Sequence, residues 1–478
     1  MTIMTFKEID SLRKQGKLDD AYRLACEALQ RAPDNLWLKR AKGWVLYDLI
    51  KRELLNVGED EEEMEDSGDE ITVNLRRLER YFAEFRQLSL PLEDNLIRSL
   101  MLRLAVRAQK VGWKGFLDFV EWWGLEHLSE EDWQPFTTEE GDKLPSLALC
   151  TLYALGRVLK TLSPQDSRVS WIHDWLQEGL SRHPNDQWLM RGQAIALAKL
   201  GQFTEAREAM RQILRKQPRE WWRWKDMGQL LETDNPEQAI MCYYHACALE
   251  RDRGKLVGVY QRLAQLLAAQ GRYAEAAWCA ELARSTRENR GWGIPSELQE
   301  LLNAEWFHTH QNAPEPQIHT QRFATLFLKG IPEESVMCKR AVLDHHNPQK
   351  RIAYFLWSPH EGTPVPYHRF PQVQSAPVGA MAELEIAPHE GRILVVDCRL
   401  TPFQEIPGFV VQIRGQLRRR AGQSYGFVHT DTGKRYLAPP KAVGTLPDGT
   451  SVEAICIYKH NPQRDQENWV ALRLTPAP

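Results

Sequence analysis

The residues with the most chemical content lie near the C-terminus. They are Ser424-Tyr425-Gly426-Phe427-Val428-His429, followed by Asp431-Thr432-Gly433-Lys434-Arg435-Tyr436. Tyr425 and Phe427 are two residues apart, so on a strand both rings project from one face, while Gly426 points to the other and adds no bulk. Two exposed rings beside Arg and Lys would stack on unpaired bases. Other chemistry is hard to find. The chain has no Gly-x-x-x-x-Gly-Lys-Ser/Thr phosphate loop and no His-Glu-x-x-His. No carboxylate pair stands out for acid–base work. His345, His346, His360 and His368, with Asp344 and Glu361 beside them, form the one dense group of metal-ligating types. Their spacings match no ligand motif, so solvated loop histidines are expected, with no metal and no cofactor. A non-enzyme is the expectation.

The elements that must carry such a tip are mostly helical. Gly16-Lys17-Leu18-Asp19-Asp20-Ala21 recurs as Gly201-Gln202-Phe203-Thr204-Glu205-Ala206 and as Gly271-Arg272-Tyr273-Ala274-Glu275-Ala276. In each, Gly accommodates a turn between two helices and Ala permits their close approach. Pro33 and Pro218 follow at equal distances and end the second helix. The pattern resembles the tetratricopeptide repeat, clearest over residues 5–50 and 171–290. The unit at Asp234-Asn235-Pro236 departs from it, with Asp in place of Gly and Pro in place of the apolar residue. The resemblance implies a superhelix whose concave groove holds a protein partner. Within it, Trp221, Trp222 and Trp224 cannot all face one way on a helix. They are candidates for partner contact, with inter-repeat packing as the alternative. Trp122, Trp123, Trp171 and Trp175 read as core.

Bulk properties bound the rest. A chain of 478 residues implies two to four domains. A net charge of -3 gives no global drive toward nucleic acid, so binding would need a local basic patch. The 8 cysteines form no CxxC pair and read as reduced structural thiols. No apolar run approaches the roughly 20 residues of a membrane span, and no signal peptide is visible, so a soluble cytoplasmic protein is expected.

Composition divides the chain. Residues 1–57 are read as tetratricopeptide-like helices, 58–71 as an acidic disordered loop, 72–165 as degenerate helical repeats and 166–311 as further repeats. A linker, 312–336, then leads into strand patterns, where Val, Ile, Pro and Gly rise. Two segments there echo each other, 337–402 and 403–478. Tyr354 and Gly362 match Tyr425 and Gly433 at one offset; Gly379 and Glu383 match Gly449 and Glu453 one residue differently. Tandem five-stranded barrels are expected.

The second segment has a strand ending near Gly415 and Leu417, the Tyr-Gly-Phe-Val strand, an Asp-x-Gly turn and a strand at Arg435–Ala438. It resembles the cold-shock/S1-like OB fold. That resemblance makes Tyr425 and Phe427 a base-stacking pair, with Tyr436 on the adjacent strand. It sets Arg418, Arg419, Arg420, Lys434, Arg435 and Lys441 against phosphates. The family's first-strand Trp is replaced near Arg419, the loop before Tyr425 is one residue short, and the third strand lacks its His. The first segment keeps Tyr354, but Leu356 stands for Phe, and His345, His346, Lys350 and Arg351 stand for the basic cluster.

The fold class is therefore α+β multidomain, an all-α tetratricopeptide-like superhelix followed by small OB-like β-barrels. The combination resembles non-catalytic components of bacterial phage-defence systems. It implies an adaptor for a protein partner and for single-stranded RNA or DNA. A pure protein scaffold whose barrels are docking modules stays open.

Overall fold

One glycine turn recurs through the helices and decides where each reverses. The computed structural model describes residues 2–55, 73–137, 143–420, 422–461 and 466–477. It divides into two units, Met1–Pro316 and Gln317–Pro478. The first unit runs α1 (Thr2–Lys14), α2 (Leu18–Arg31), α3 (Leu36–Glu53), α4 (Leu75–Gln87), α5 (Asn95–Lys110) and α6 (Phe116–Trp123). A ribbon of β1 (Phe136–Thr137) and β2 (Lys143–Leu144) follows, then α7 (Leu147–Val158), α8 (Arg168–Arg182), α9 (Gln187–Lys199) and α10 (Phe203–Lys216). The unit closes with α11 (Trp221–Leu231), α12 (Pro236–Leu249), α13 (Arg253–Ala269), α14 (Tyr273–Asn289), α15 (Ser296–Leu302) and α16 (Glu305–Thr309).

At Gly16, Gly201 and Gly271 the backbone is left-handed, with φ of 75°, 80° and 74°. The next N–H reaches back to the helix, as in Gln202 N to Leu197 O at 2.9 Å and Arg272 N to Leu267 O at 2.9 Å. These bonds satisfy orphan carbonyls at the helix end. The alanine of each motif, Ala21, Ala206 or Ala276, is fully buried. The departing unit uses other chemistry. Asn235 caps α12 by accepting from Gln238 N at 3.2 Å, and Pro236 occupies the first helical turn. Residues 72–165, expected as degenerate repeats, hold the same turn at Gly112, with φ 82° and Trp113 N to Ala108 O at 3.1 Å. First helices of successive hairpins meet one another, α1 with α3, α3 with α5, α5 with α7 and α7 with α9. One apolar core runs without a break from Ile9 to Ala196. The expected acidic loop 58–71 lies outside the described residues.

The second unit begins with α17 (Thr320–Lys329). The expected linker 312–336 is thus partly structured. Leu326 and Ile331 pack on Ala387 and Val396 of the first β module. That module comprises β3 (Met337–Asn347), β4 (Ile352–Leu356), β5 (Gly362–Pro366), β6 (Met381–His389) and β7 (Arg392–Thr401). Its strands lie in the order β5-β4-β3-β6-β7, all antiparallel. It is an open five-stranded sheet rather than the expected barrel, because the end strands β5 and β7 share no ladder. Both still contribute to one core, through Val365 and through Val395 and Cys398.

The second module comprises β8 (Val410–Arg418), β9 (Gly426–His429), β10 (Arg435–Ala438), α18 (Pro440–Val443), β11 (Ser451–Asn461) and β12 (Gln466–Pro476). It is a closed barrel in the order β10-β12-β11-β8-β9, with β9 returning to β10. Only β10 and β12 run parallel. So tight a barrel demands close crossing of β8 and β9. A Cβ at Gly415 would meet His429 O at 2.3 Å, and one at Gly426 would meet Arg418 O at 2.9 Å.

The two modules are copies in strand order and in one diagnostic contact. Leu343 N donates to Ala380 O and Gly379 N to Leu343 O, both at 2.8 Å. Leu417 N donates to Thr450 O at 2.9 Å and Gly449 N to Leu417 O at 2.8 Å. Gly379 and Gly449 thus correspond, as their spacing suggests. The offset for Tyr354 is corrected. Tyr354 pairs with His345 and Pro364, while Phe427 pairs with Arg418 and Leu437. Tyr354 therefore occupies the Phe427 row, and Gly362 the Arg435 row. The modules join through an apolar layer of Val342, Leu356 and Met381 against Val410, Ile455 and Ile457.

Candidate nucleic-acid interface

The outer face of β8, β9 and β10 is organised in rows by the ladder. One row is Arg418–Phe427–Leu437 and the next is Gln416–His429–Arg435. Neither row contains a carboxylate. Tyr425 immediately precedes β9, with 38% of its surface exposed, and Phe427 is 39% exposed. Their rings meet edge to face at 6.2 Å and 79°. The two rings predicted to share a face do so and are open to solvent.

The expected cations divide. Arg418, Arg420, Lys434 and Arg435 are exposed. Arg418 donates to its neighbour Gln416 at 2.8 Å. Arg419 has a different role. Its guanidinium donates to Leu446 O at 2.9 Å and Gln423 O at 3.1 Å, and its backbone N–H to Asp448 at 2.6 Å. It ties the β8–β9 loop to the β11 approach rather than standing free for a phosphate. Lys441 is exposed on α18, outside the two rows. Tyr436 is also corrected. It pairs with buried Val428, is 6% exposed and packs edge-on against Trp469 at 5.7 Å. Burial pushes its phenol above the ordinary range. Leu437 is the residue of that strand beside Phe427.

The corresponding face of the first module is partly covered. Tyr354 stacks on His345 at 5.4 Å, and both Tyr354 and Leu356 belong to the layer packed on the second module. Of the two copies, the second presents the more open aromatic face.

In the helical unit the three tryptophans separate. Trp224 is fully buried, donates to Pro218 O at 2.8 Å and meets His245 edge-on at 4.5 Å. It is a core residue, which removes it from the partner-binding set. Trp222 stacks on Trp188, 34 residues earlier, at 5.2 Å and 10°. Arg191 lies over it at 4.7 Å and Arg223 at 4.8 Å. Trp221 is half-buried under Lys225. Beside this stack is a cleft of about 290 Å³ lined by Asn185, Gln187, Lys216, Gln217 and Arg223. Arg191 is ion-paired with Asp226 at 2.5 Å. Arg223, 1% exposed, donates to Ile213 O at 2.9 Å and to the side chains of Gln187 and Gln217, with the Glu220 carboxylate acting on it through space. Burial holds its pKa below the usual range. Sequence reading passed over this arginine because flanking tryptophans masked it.

The loop histidines have separate fates. His346 bonds Tyr367 and Ala376 O through its two ring nitrogens, both at 2.8 Å. His345 bonds Asp344 at 2.8 Å. All eight cysteines are unbridged, and burial pushes the Cys279, Cys398 and Cys456 thiols up to about 12. Among the described residues no helix is long and apolar enough to cross a membrane.

A family model described as a domain of unknown function (DUF7017) matches residues 187–326. No curated protein matches the chain. Among solved structures, a tetratricopeptide repeat protein from Parabacteroides merdae aligns at 14% identity, covering 63% of this chain and 97% of its own, with a TM-score of 0.35. The TPR2AB domain of yeast Sti1 in its pHSP90 complex aligns at 13% identity over 65% and 99%, with a TM-score of 0.22. The C-terminal part of a TPR repeat-containing protein from Cytophaga hutchinsonii aligns at 9% over 63% and 100%, with a TM-score of 0.32.

Proposed function

We propose that the chain is a non-catalytic adaptor that binds single-stranded RNA or DNA on its second β module and a protein partner on its helical repeats. The observation that carries the first half is the solvent-open pair Tyr425 and Phe427 on a barrel face free of carboxylates. The closed five-stranded barrel, with its parallel closure of β10 on β12, supports reading it as OB-like, and OB folds bind oligonucleotides on the corresponding face. Rings at this position stack on bases of any sequence, each base contributing about 1–3 kcal/mol. The resemblance to accessory proteins of bacterial defence systems fits a binding role with catalysis encoded elsewhere.

The second half rests on the glycine-turn hairpins, which resemble tetratricopeptide units, and on the cleft at Arg223. A buried guanidinium hydrogen-bonded to neutral oxygens favours an acidic group from a partner.

Fluorescence anisotropy with labelled single strands tests the first half, using the whole chain and a Tyr425→Ala/Phe427→Ala variant. Four exposed cations near the rings, Arg418, Arg420, Lys434 and Arg435, set a log–log salt slope of about -3. A fourfold rise in salt then weakens binding about fifty-fold. Loss of binding in the variant supports the platform. No binding by the wild type removes the nucleic-acid half and leaves the barrel as a protein-docking module.

A further inference from the structure

We propose that His360, His460 and Glu467 form a binding site for one divalent transition-metal ion of the zinc class, bridging the two β modules. One ligand atom from each lies within 4.8 Å of the others. His460 and Glu467 are directly opposed in the β11–β12 ladder, so the register of that hairpin places them side by side. His360 comes from the β4–β5 loop of the other module. Its Nε2 contacts Glu467 at 2.8 Å and its ring lies 5.2 Å from that of His460.

The loop that presents His360 is held. Glu361 N donates to Ser358 at 3.1 Å, Trp357 N donates to Glu361 O at 3.1 Å, and the Trp357 indole reaches the Glu361 carboxylate at 3.1 Å. Below the site the modules are fixed by the apolar layer and by Lys459 on Asp344 at 2.6 Å. The ligands therefore belong to two parts that are already locked together. The donor separations, from 2.8 Å for His360 and Glu467 up to at most 4.8 Å, bracket the roughly 3.4 Å between tetrahedral ligands bonded at about 2.0–2.1 Å. The donor set also selects the ion. Two imidazoles and one carboxylate suit zinc, whereas magnesium and calcium take oxygens. Three protein ligands leave the fourth position to water. The His360 and Glu467 side chains are 59% and 36% exposed, so the ion enters from solvent without opening the fold.

The test uses full-length protein stripped with chelator. It is titrated with Zn²⁺ by calorimetry and with Co²⁺ by visible absorption. The expected result is one equivalent of zinc, a cobalt spectrum without a sulfur charge-transfer band, and a higher unfolding midpoint when zinc is present. His360→Ala and Glu467→Gln should each weaken binding about tenfold or more, while His345→Ala and Cys338→Ser leave it unchanged. Absence of micromolar zinc binding by the wild type would overturn the proposal. So would unaltered binding in the His360→Ala/Glu467→Gln double variant. Should a variant misfold, the wild-type cobalt spectrum still decides, because a sulfur band would move the ion to a cysteine.

Discussion

Arg435 and Tyr436 are neighbours on a strand, so only one can face outward. Assigning both to a nucleic-acid surface, as the motif resemblance does, conflicts with strand geometry. The ladder resolves it by pairing Tyr436 with buried Val428 and Leu437 with exposed Phe427. Two ring deletions on adjacent strands should therefore have opposite signatures. Phe427→Ala weakens single-strand binding by about 1–3 kcal/mol with little change in stability. Tyr436→Ala empties part of the barrel core and lowers stability by about 3 kcal/mol or more. Thermal unfolding and anisotropy on the same two proteins check this; equal stability losses would show that Phe427 is also core. A second residue-scale effect concerns pH. Burial against Trp224 lowers the His245 pKa from 6.5 to about 4. Between those values the unfolded chain binds more protons than the folded one, so stability falls as pH falls and levels off below about 4. The full effect is about 3 kcal/mol. His245→Gln, whatever its baseline stability, should flatten the unfolding midpoint across that window. An unchanged slope would assign the acid sensitivity to other groups.

At the scale of elements, the glycine turns set helix length and therefore the repeat. A Cβ at Gly271 would meet nothing within 4 Å, so its requirement is conformational and not steric. Gly271→Ala should then cost about 1 kcal/mol through left-handed backbone strain alone, and Gly271→Asn distinctly less. Denaturant unfolding of the two variants measures the difference; equal costs would point to a lost contact instead. These turns were legible because Gly, the apolar residue and Ala recur together at Gly16, Gly201 and Gly271. The turn at Gly112 has the same hydrogen bond but was not legible. Lys114 stands where the apolar residue should be, Leu117 where Ala should be, and α6 starts only at Phe116. A second glycine, Gly115, lengthens that connection. The strand elements were legible in kind, since Tyr425 and Phe427 declare one exposed face. Their partners were not, because pairing depends on register, which a four-residue strand such as β10 barely encodes. The meeting of His460 and Glu467 with His360 was hidden likewise: ladder register pairs the first two, and the packing of one module on the other brings the loop residue His360 to them.

At the scale of the molecule, duplication explains why one platform is open and the other partly covered. Each β module has the same strand order, yet Tyr354 and Leu356 of the first are built into the layer that holds the second. Sequence alone shows the duplication but not which copy is covered, since burial between modules leaves no period in either. The second unit holds its own cores, from α17 through both modules, and the continuous core of the first unit lies wholly within Met1–Pro316. A chain cut at that boundary should give a 317–478 fragment that unfolds cooperatively by itself. The two modules should melt together, because separating them would expose Val342, Leu356, Met381 and Ile457. If the stacking rings and their four cations are the whole nucleic-acid site, this fragment binds single strands as tightly as the full chain and with the same salt slope. A fragment that folds yet binds more than about tenfold more weakly would place further phosphate contacts on the helical unit, because each lost cation removes about 0.7 from the slope. Comparing slopes as well as affinities separates that outcome from mere destabilisation, which shifts affinity without changing how many phosphates are met.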